Sequence, residues 1–459
     1  MTARTPSRLA VLLMALLTIV LTHVPSAHAA GYPAGFEERT LITGLTGPVG
    51  AAWTPDGRTL IVEKNGTLRV AAAGATTAPV RLDISSRVNS FQDRGLLGVA
   101  VDSSFASNHF IYLLYTYEVN PMSPDGSGAM VARLGRYVLN DDNTLGPETV
   151  LLGSYVSGPC PTPSNTLDCI PSDATSHSIG TVRSAPDGTL WVGAGDGASF
   201  ATVDAMALRT YNETSLAGKI LHIDRNGNGV GGHPFCKSDT TLSHVCTKVW
   251  AKGFRNPFRF KLRPGGGLMV GDVGWNTREE AEAIDPSEAG SNYGWPCYEG
   301  ALRTSGYSDR SECAAEYAKE GTASEDVAPD YDYPHAGDGN AVLGGPTYTG
   351  TAYPGAYRNQ VFFADYGAGW VKRATVDPQG GLSGITDFAV GWYGTDLDID
   401  PSGNLAYPYF GDGNPGTGSL REIVYSSGDA TPIARATANP SDGLAPLTPQ
   451  FDASASSDP

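Results

Sequence analysis

The chain has 459 residues and carries 31 lysines and arginines against 48 aspartates and glutamates, a formal charge of −17. A surface this acidic repels phosphate backbones and anionic lipid, which argues against nucleic-acid or membrane-surface binding. With 57 Gly and 32 Pro spread along it, the chain is not a helical bundle.

The first thirty residues read as a removable leader. Arg4 and Arg8 form a basic start, Leu9 to Thr22 is an uncharged apolar run, and Ala27-His28-Ala29 is a small-x-small cleavage site. The expected mature start is near Ala30, and the protein is expected to be secreted. The run is too short to span a bilayer comfortably, so no membrane insertion is expected.

Beyond the leader, short β-rich runs recur behind Pro-x-Gly turns. Pro55-Asp56-Gly57 precedes Thr59 to Val62, and Pro186-Asp187-Gly188 precedes Thr189 to Val192. Pro264-Gly265-Gly266 precedes Leu268 to Val270, Pro378-Gln379-Gly380 precedes a weaker run, and Pro401-Ser402-Gly403 precedes Asn404 to Tyr407. Proline pre-sets one turn residue and glycine supplies a positive φ, so each is a hairpin with a mechanism. Strands at such spacing, without long helical periodicity, predict an all-β protein of the β-propeller type with long loops on one face. Two stacked sandwich domains are the alternative, although no linker interrupts residues 60 to 425.

All six cysteines follow the leader, and an even count in an exported chain favours disulfides. Six cysteines allow fifteen pairings. Proximity suggests Cys160–Cys169, Cys236–Cys246 and Cys297–Cys313, each closing a short loop. No Cys-x-x-Cys is present, which argues against thiol redox chemistry and structural zinc.

Among eight histidines, His177 stands in Ser176-His177-Ser178-Ile179-Gly180. Nineteen residues on, Asp196 ends the strand-like run from Thr189. A histidine held by a carboxylate is the usual general base at neutral pH. In Lys252-Gly253-Phe254-Arg255-Asn256-Pro257 an arginine suited to an oxyanion and an amide suited to a polar ligand stand side by side before proline. Gly271-Asp272-Val273-Gly274-Trp275-Asn276, followed by acidic residues, offers carbonyls and charge to a hard cation such as Ca²⁺. Asp224-Arg225-Asn226-Gly227-Asn228-Gly229 resembles the start of a calcium loop, but Phe235 occupies the twelfth position, so it reads as a plain turn. Gly-x-Ser-x-Gly and His-Glu-x-x-His are absent, so common hydrolase chemistry lacks its residues.

These segments, with Asp93-Arg94-Gly95-Leu96-Leu97-Gly98, Ser215-Leu216-Ala217-Gly218-Lys219, Asn292-Tyr293-Gly294-Trp295-Pro296, Gly344-Gly345-Pro346-Thr347-Tyr348 and Phe363-Ala364-Asp365-Tyr366, resemble the glucose/sorbosone dehydrogenase family of soluble quinoproteins over roughly residues 40–425. The resemblance implies a six-bladed propeller over 31–428 that binds pyrroloquinoline quinone (PQQ) and Ca²⁺. It implies oxidation of the anomeric hydroxyl of an aldose or oligosaccharide to a lactone, with electrons leaving to a cytochrome or free quinone. His177 is then the base, Asp196 its support, and Arg255 the stabiliser of charge on the quinone oxygen. Asn256 positions the cofactor, and the Gly274 and Trp275 carbonyls hold calcium. Two departures stand out: Asp93 occupies the place of a family glutamine, and the late-chain cations that clamp the cofactor's carboxylates are missing around Asp365 and Trp392. Arg94 and His335 are the candidates to compensate. Without that clamp, a non-enzymatic propeller that binds glycans or a protein partner is the alternative function. After Ser427 the composition turns Ala-, Pro- and Ser-rich, and Ala445 onward resembles the start of a PKD domain over 429–459.

Overall fold

A computed structural model describes residues 31–121, 128–377, 380–426, 437–439, 448 and 450–452. The expected leader and the Pro378-Gln379 part of one turn lie outside the described residues, as does most of the expected PKD segment. What is described of that segment is a short ladder between Thr437–Asn439 and Gln450–Asp452. Among the described residues, no helix is long and apolar enough to cross a membrane.

Six antiparallel sheets follow one another as propeller blades. The first runs Pro48–Trp53, Thr59–Glu63, Thr67–Ala71 and Val80–Asp83, paired in sequence order. The second is built on Leu96–Val101, Phe110–Tyr117 and Met130–Val138, edged by Thr149–Leu152 and Ile170–Ser172. Ile179–Ser184, Leu190–Ala194, Lys219–Ile223 and Val249–Lys252 form the third, and Arg259–Leu262, Leu268–Asp272, Arg278–Glu282 and Tyr331–Pro334 the fourth. The fifth comprises Val342–Thr347, Gln360–Asp365, Trp370–Val376 and Leu382–Val390. The run after Gly380, weak by sequence, is thus a nine-residue strand.

The last blade is shared between the two ends of the chain. Asp398–Ile399, Leu405–Tyr409 and Gly418–Tyr425 take Phe36–Leu45 as their outermost strand, in a register running from Phe36 opposite Tyr425 to Leu45 opposite Gly418. This pairing ties the two ends of the chain together and closes the ring.

Innermost strands pack against neighbouring blades on both faces, so they are almost continuously apolar and buried, as in Leu96-Leu97-Gly98-Val99-Ala100. Near the axis there is little room. A β-carbon on Gly344 would collide with the backbone of Met269 and Arg259 in the neighbouring blade. Arg259 fills the axis instead: its guanidinium donates to Val49 O (2.6 Å), Gly180 O (2.5 Å) and Thr395 O (2.9 Å), on the inner segments of three other blades. Asp396, 3.9 Å from Arg259, joins it to Arg183 (3.0 Å) and Lys261 (2.9 Å).

This topology also decides where chemistry can sit. Each innermost strand enters from one end of the ring and each second strand returns to that end. Residues just before the first (Asp93, His177, Asn256, Thr395) and just after the second (Lys64, Asp196, Gly274, Tyr366) therefore collect at one mouth.

Candidate active site

His177 precedes the innermost strand of the third blade and Asp196 follows the next strand, so a register gap between Ile179 and Val182 brings the two side by side. His177 Nδ1 lies 3.1 Å from Asp196 Oδ1. Asp196 is fixed in turn by the Trp295 indole, which donates to Oδ2 at 2.8 Å, and by the Ala198 N–H at 2.9 Å. His177 is held at φ +52°, a left-handed conformation that costs a residue with a β-carbon about 1–2 kcal/mol. The Gly197 N–H, donating to His177 O at 2.9 Å, helps to retain it. Gly195 is required here because a β-carbon would run into the His177 backbone.

Burial and the nearby Arg255 push the His177 imidazole below its ordinary pKa of 6.5, while Asp196 pulls it upward. The ring is therefore neutral at pH 7. Its Nδ1 is engaged, and among the described residues no hydrogen bond engages Nε2, which is the nitrogen left to accept a proton.

Arg255 is 4% exposed and stands over the Trp295 ring at 5.4 Å. One terminal nitrogen donates to Val273 O at 2.8 Å and to Gly274 O. Its Nε is buried without a hydrogen-bond partner, a donor that asks for an acceptor the protein does not supply. Asp196, Glu279, Asp272 and Glu299 surround the guanidinium with negative charge. The Arg255 and Asn256 N–H groups are pinned by Asp272 at 2.9 and 2.6 Å, which leaves the Asn256 amide lining the cavity.

That cavity occupies about 350 Å³ at the mouth of the ring, lined among others by Lys64, Gln92, Asp93, Asn256, Asn340 and Tyr366. Neither His177 nor Arg255 lines it, but Asp93 does, and the charge of that carboxylate acts on the His177 imidazole. Gln92 was not foreseen: one position before Asp93, it carries its amide into the same cavity and bonds the Thr175 hydroxyl. Lys64 and Trp295 were also not singled out. Trp295 could have been, from Asn292-Tyr293-Gly294-Trp295-Pro296, whereas nothing in the sequence marks Lys64.

Two expected compensations resolve differently. Arg94 is fully buried, and its guanidinium donates to Ser172 O (2.6 Å), Ala174 O (2.8 Å) and Gly128 O (2.8 Å). It braces the segment ahead of His177 and is not offered to a ligand. His335 comes near the site, but its Nε2 lies 2.7 Å from Glu279, whose carboxylate raises its pKa. Lys372 pairs with Asp387 at 2.6 Å and Arg373 with Gln360, both away from the mouth.

At the expected metal position, Gly274 O accepts from the Arg255 guanidinium, and Glu299 accepts the backbone N–H groups of Trp275, Asn276, Thr277 and Arg278. Carbonyl and carboxylate oxygens are the donor type that a hard divalent cation takes. The Asp224 turn is plain, its carboxylate spent on the Asn226 and Asn228 N–H groups. The three disulfides pair as proximity suggested.

The sequence profile of the glucose/sorbosone dehydrogenase family matches residues 45–388. The chain belongs to this family. It is 26% identical over 304 residues to quinoprotein glucose dehydrogenase B of Acinetobacter calcoaceticus, covering 63% of this chain and 59% of that protein. The chain therefore spans about six-tenths of that relative's length. Its fold matches the PQQ-bound aldose sugar dehydrogenase of Streptomyces coelicolor with a TM-score of 0.60 at 19% identity, over 86% of this chain and all of the other. The apo aldose sugar dehydrogenase of Escherichia coli gives 0.62 at 19%, over 85% of this chain and all of the other.

Proposed function

We propose that the protein is an exported PQQ- and Ca²⁺-dependent dehydrogenase that oxidises the anomeric hydroxyl of an aldose or oligosaccharide to a lactone. The observation that carries the reading is the neutral His177, supported by Asp196, set beside an arginine with an unpaired buried donor. That orphaned Nε, the open Asn256 amide and a cavity of the right order of size suit a flat, oxygen-rich cofactor. PQQ, when bound, supplies a carbonyl carbon that accepts hydride. Ca²⁺ on the Gly274 and Trp275 carbonyls adds Lewis acidity.

The residues of the chain do the remainder. His177 Nε2 takes the hydroxyl proton from the sugar, and Asp196 stabilises the imidazolium that results. Arg255 places positive charge where negative charge develops on the cofactor oxygen. Asn256 orients the cofactor from the cavity wall. An external acceptor such as a cytochrome or free quinone takes the electrons afterwards. The leader at 1–30 and a PKD-like segment from 429 fit an exported enzyme with an appended module.

The test is calorimetric titration of PQQ into the protein with Ca²⁺, then dye reduction with a panel of aldoses. Micromolar or tighter binding with sugar-dependent reduction that His177→Ala abolishes is the expected result. No binding with or without Ca²⁺ would leave the alternative, a propeller that recognises glycans or a protein without catalysis.

A further inference from the structure

We infer that Lys64 is the cation that holds a carboxylate of the bound quinone, taking the place of the absent late-chain clamp. The inference rests on reading the cavity as the quinone site. PQQ carries three carboxylates, and an acidic protein must meet them with positive charge at the cavity itself.

The distribution of cations leaves one choice. Lys64 is the one lysine or arginine among the residues lining the cavity. Arg94 is committed to backbone carbonyls, Lys372 to Asp387 and Arg373 to Gln360. Lys64 immediately follows the second strand of the first blade, which delivers it to the mouth. Its stem is held in place: a β-carbon on Gly95 would strike both Lys64 Cγ and Lys64 O, so the loop carrying Asp93 closes directly over it.

The ammonium donates to Ser90 O at 2.5 Å, and among the described residues no carboxylate lies within ion-pair distance. An ammonium has three donors, so two are left for a ligand. Burial lowers its pKa and the charge of Asp93 raises it. The protein thus keeps a partly desolvated cation at a cavity wall with one neutral acceptor. An arriving carboxylate completes that pair with much of the desolvation already met.

The opposing explanation is that Lys64 merely ties down the Ser90 loop. Lys64→Gln separates the two, because the amide can still donate to Ser90 O but carries no charge. PQQ is titrated with Ca²⁺ into wild type, Lys64→Gln, Lys64→Arg and Lys372→Gln, and the trimethyl ester of PQQ into the first two. Expected are binding roughly 30-fold weaker for Lys64→Gln, a change of only a few-fold for Lys64→Arg, and none for Lys372→Gln. The wild type should prefer free acid over ester, and Lys64→Gln should lose most of that preference. Wild type binding acid and ester equally, or Lys64→Gln binding PQQ like wild type, overturns the inference and leaves the dehydrogenase reading intact. Failure of the wild type to bind PQQ overturns both.

Discussion

Trp295 donates its indole N–H to Asp196 Oδ2 at 2.8 Å, which leaves Oδ1 to face His177. One tryptophan thereby decides which carboxylate oxygen supports the base, and the same ring lies beneath the Arg255 guanidinium. Trp295→Phe keeps the ring and removes the donor. A lost hydrogen bond to a buried charge costs about 1.5–3 kcal/mol, so sugar oxidation should slow roughly tenfold to a hundredfold with the fold retained. The same change should move the acid limb of the rate upward, because Asp196 without that donor holds the His177 imidazolium more strongly. A slower rate with an unmoved limb would assign Trp295 to packing alone.

Activity should depend on pH through His177. Its neutral form is the proton acceptor, and burial with Arg255 places its pKa below 6.5. The rate should therefore rise with pH along a limb whose midpoint lies below 6.5. Stability follows the same sign: between the folded pKa and 6.5 the unfolded chain binds the extra proton, so this contribution is lost as pH falls through that window. Arg255→Met removes the neighbouring positive charge and should move the limb upward. A wild-type limb at or above pH 7 would contradict the arrangement.

Arg259 should be the most costly single charge to remove. Arg259→Met strands the carbonyls of Val49, Gly180 and Thr395 and takes one cation from Asp396, all of it buried. A loss of roughly 3–5 kcal/mol is expected, read as a lower urea midpoint at unchanged slope. Stability within about 1 kcal/mol of wild type would show that the ring does not depend on its axial plug.

Of the three disulfides, Cys297–Cys313 should matter most to the site. Both cysteines are fully buried, and they pack with Trp295, Tyr307 and Ala198 beside Asp196. Replacing both with serine should cost about 2–4 kcal/mol and lower activity further at temperatures where the protein stays folded. Replacing Cys236 and Cys246 should cost stability while sparing turnover, since that loop lies on the outer side of the third blade. Equal effects on activity would place the two loops on the same footing.

The sequence by itself determined the local elements and the residue types of the candidate site. Pro-x-Gly turns at 55–57, 186–188, 264–266 and 401–403 each join an innermost strand to its neighbour, because proline and glycine set those backbone angles without outside help. His177, Asp196, Arg255 and Asn256 were legible as a group, since base, carboxylate, cation and amide are recognisable by type. The fate of each charge was not. Arg94, Lys64 and Arg259 are equivalent in sequence: one braces a loop, one faces the cavity, and one plugs the axis. Only ring closure, which sets the first and last strands edge to edge and gathers the segments before each innermost strand and after each second strand at one mouth, decides which carbonyl or cavity each cation meets.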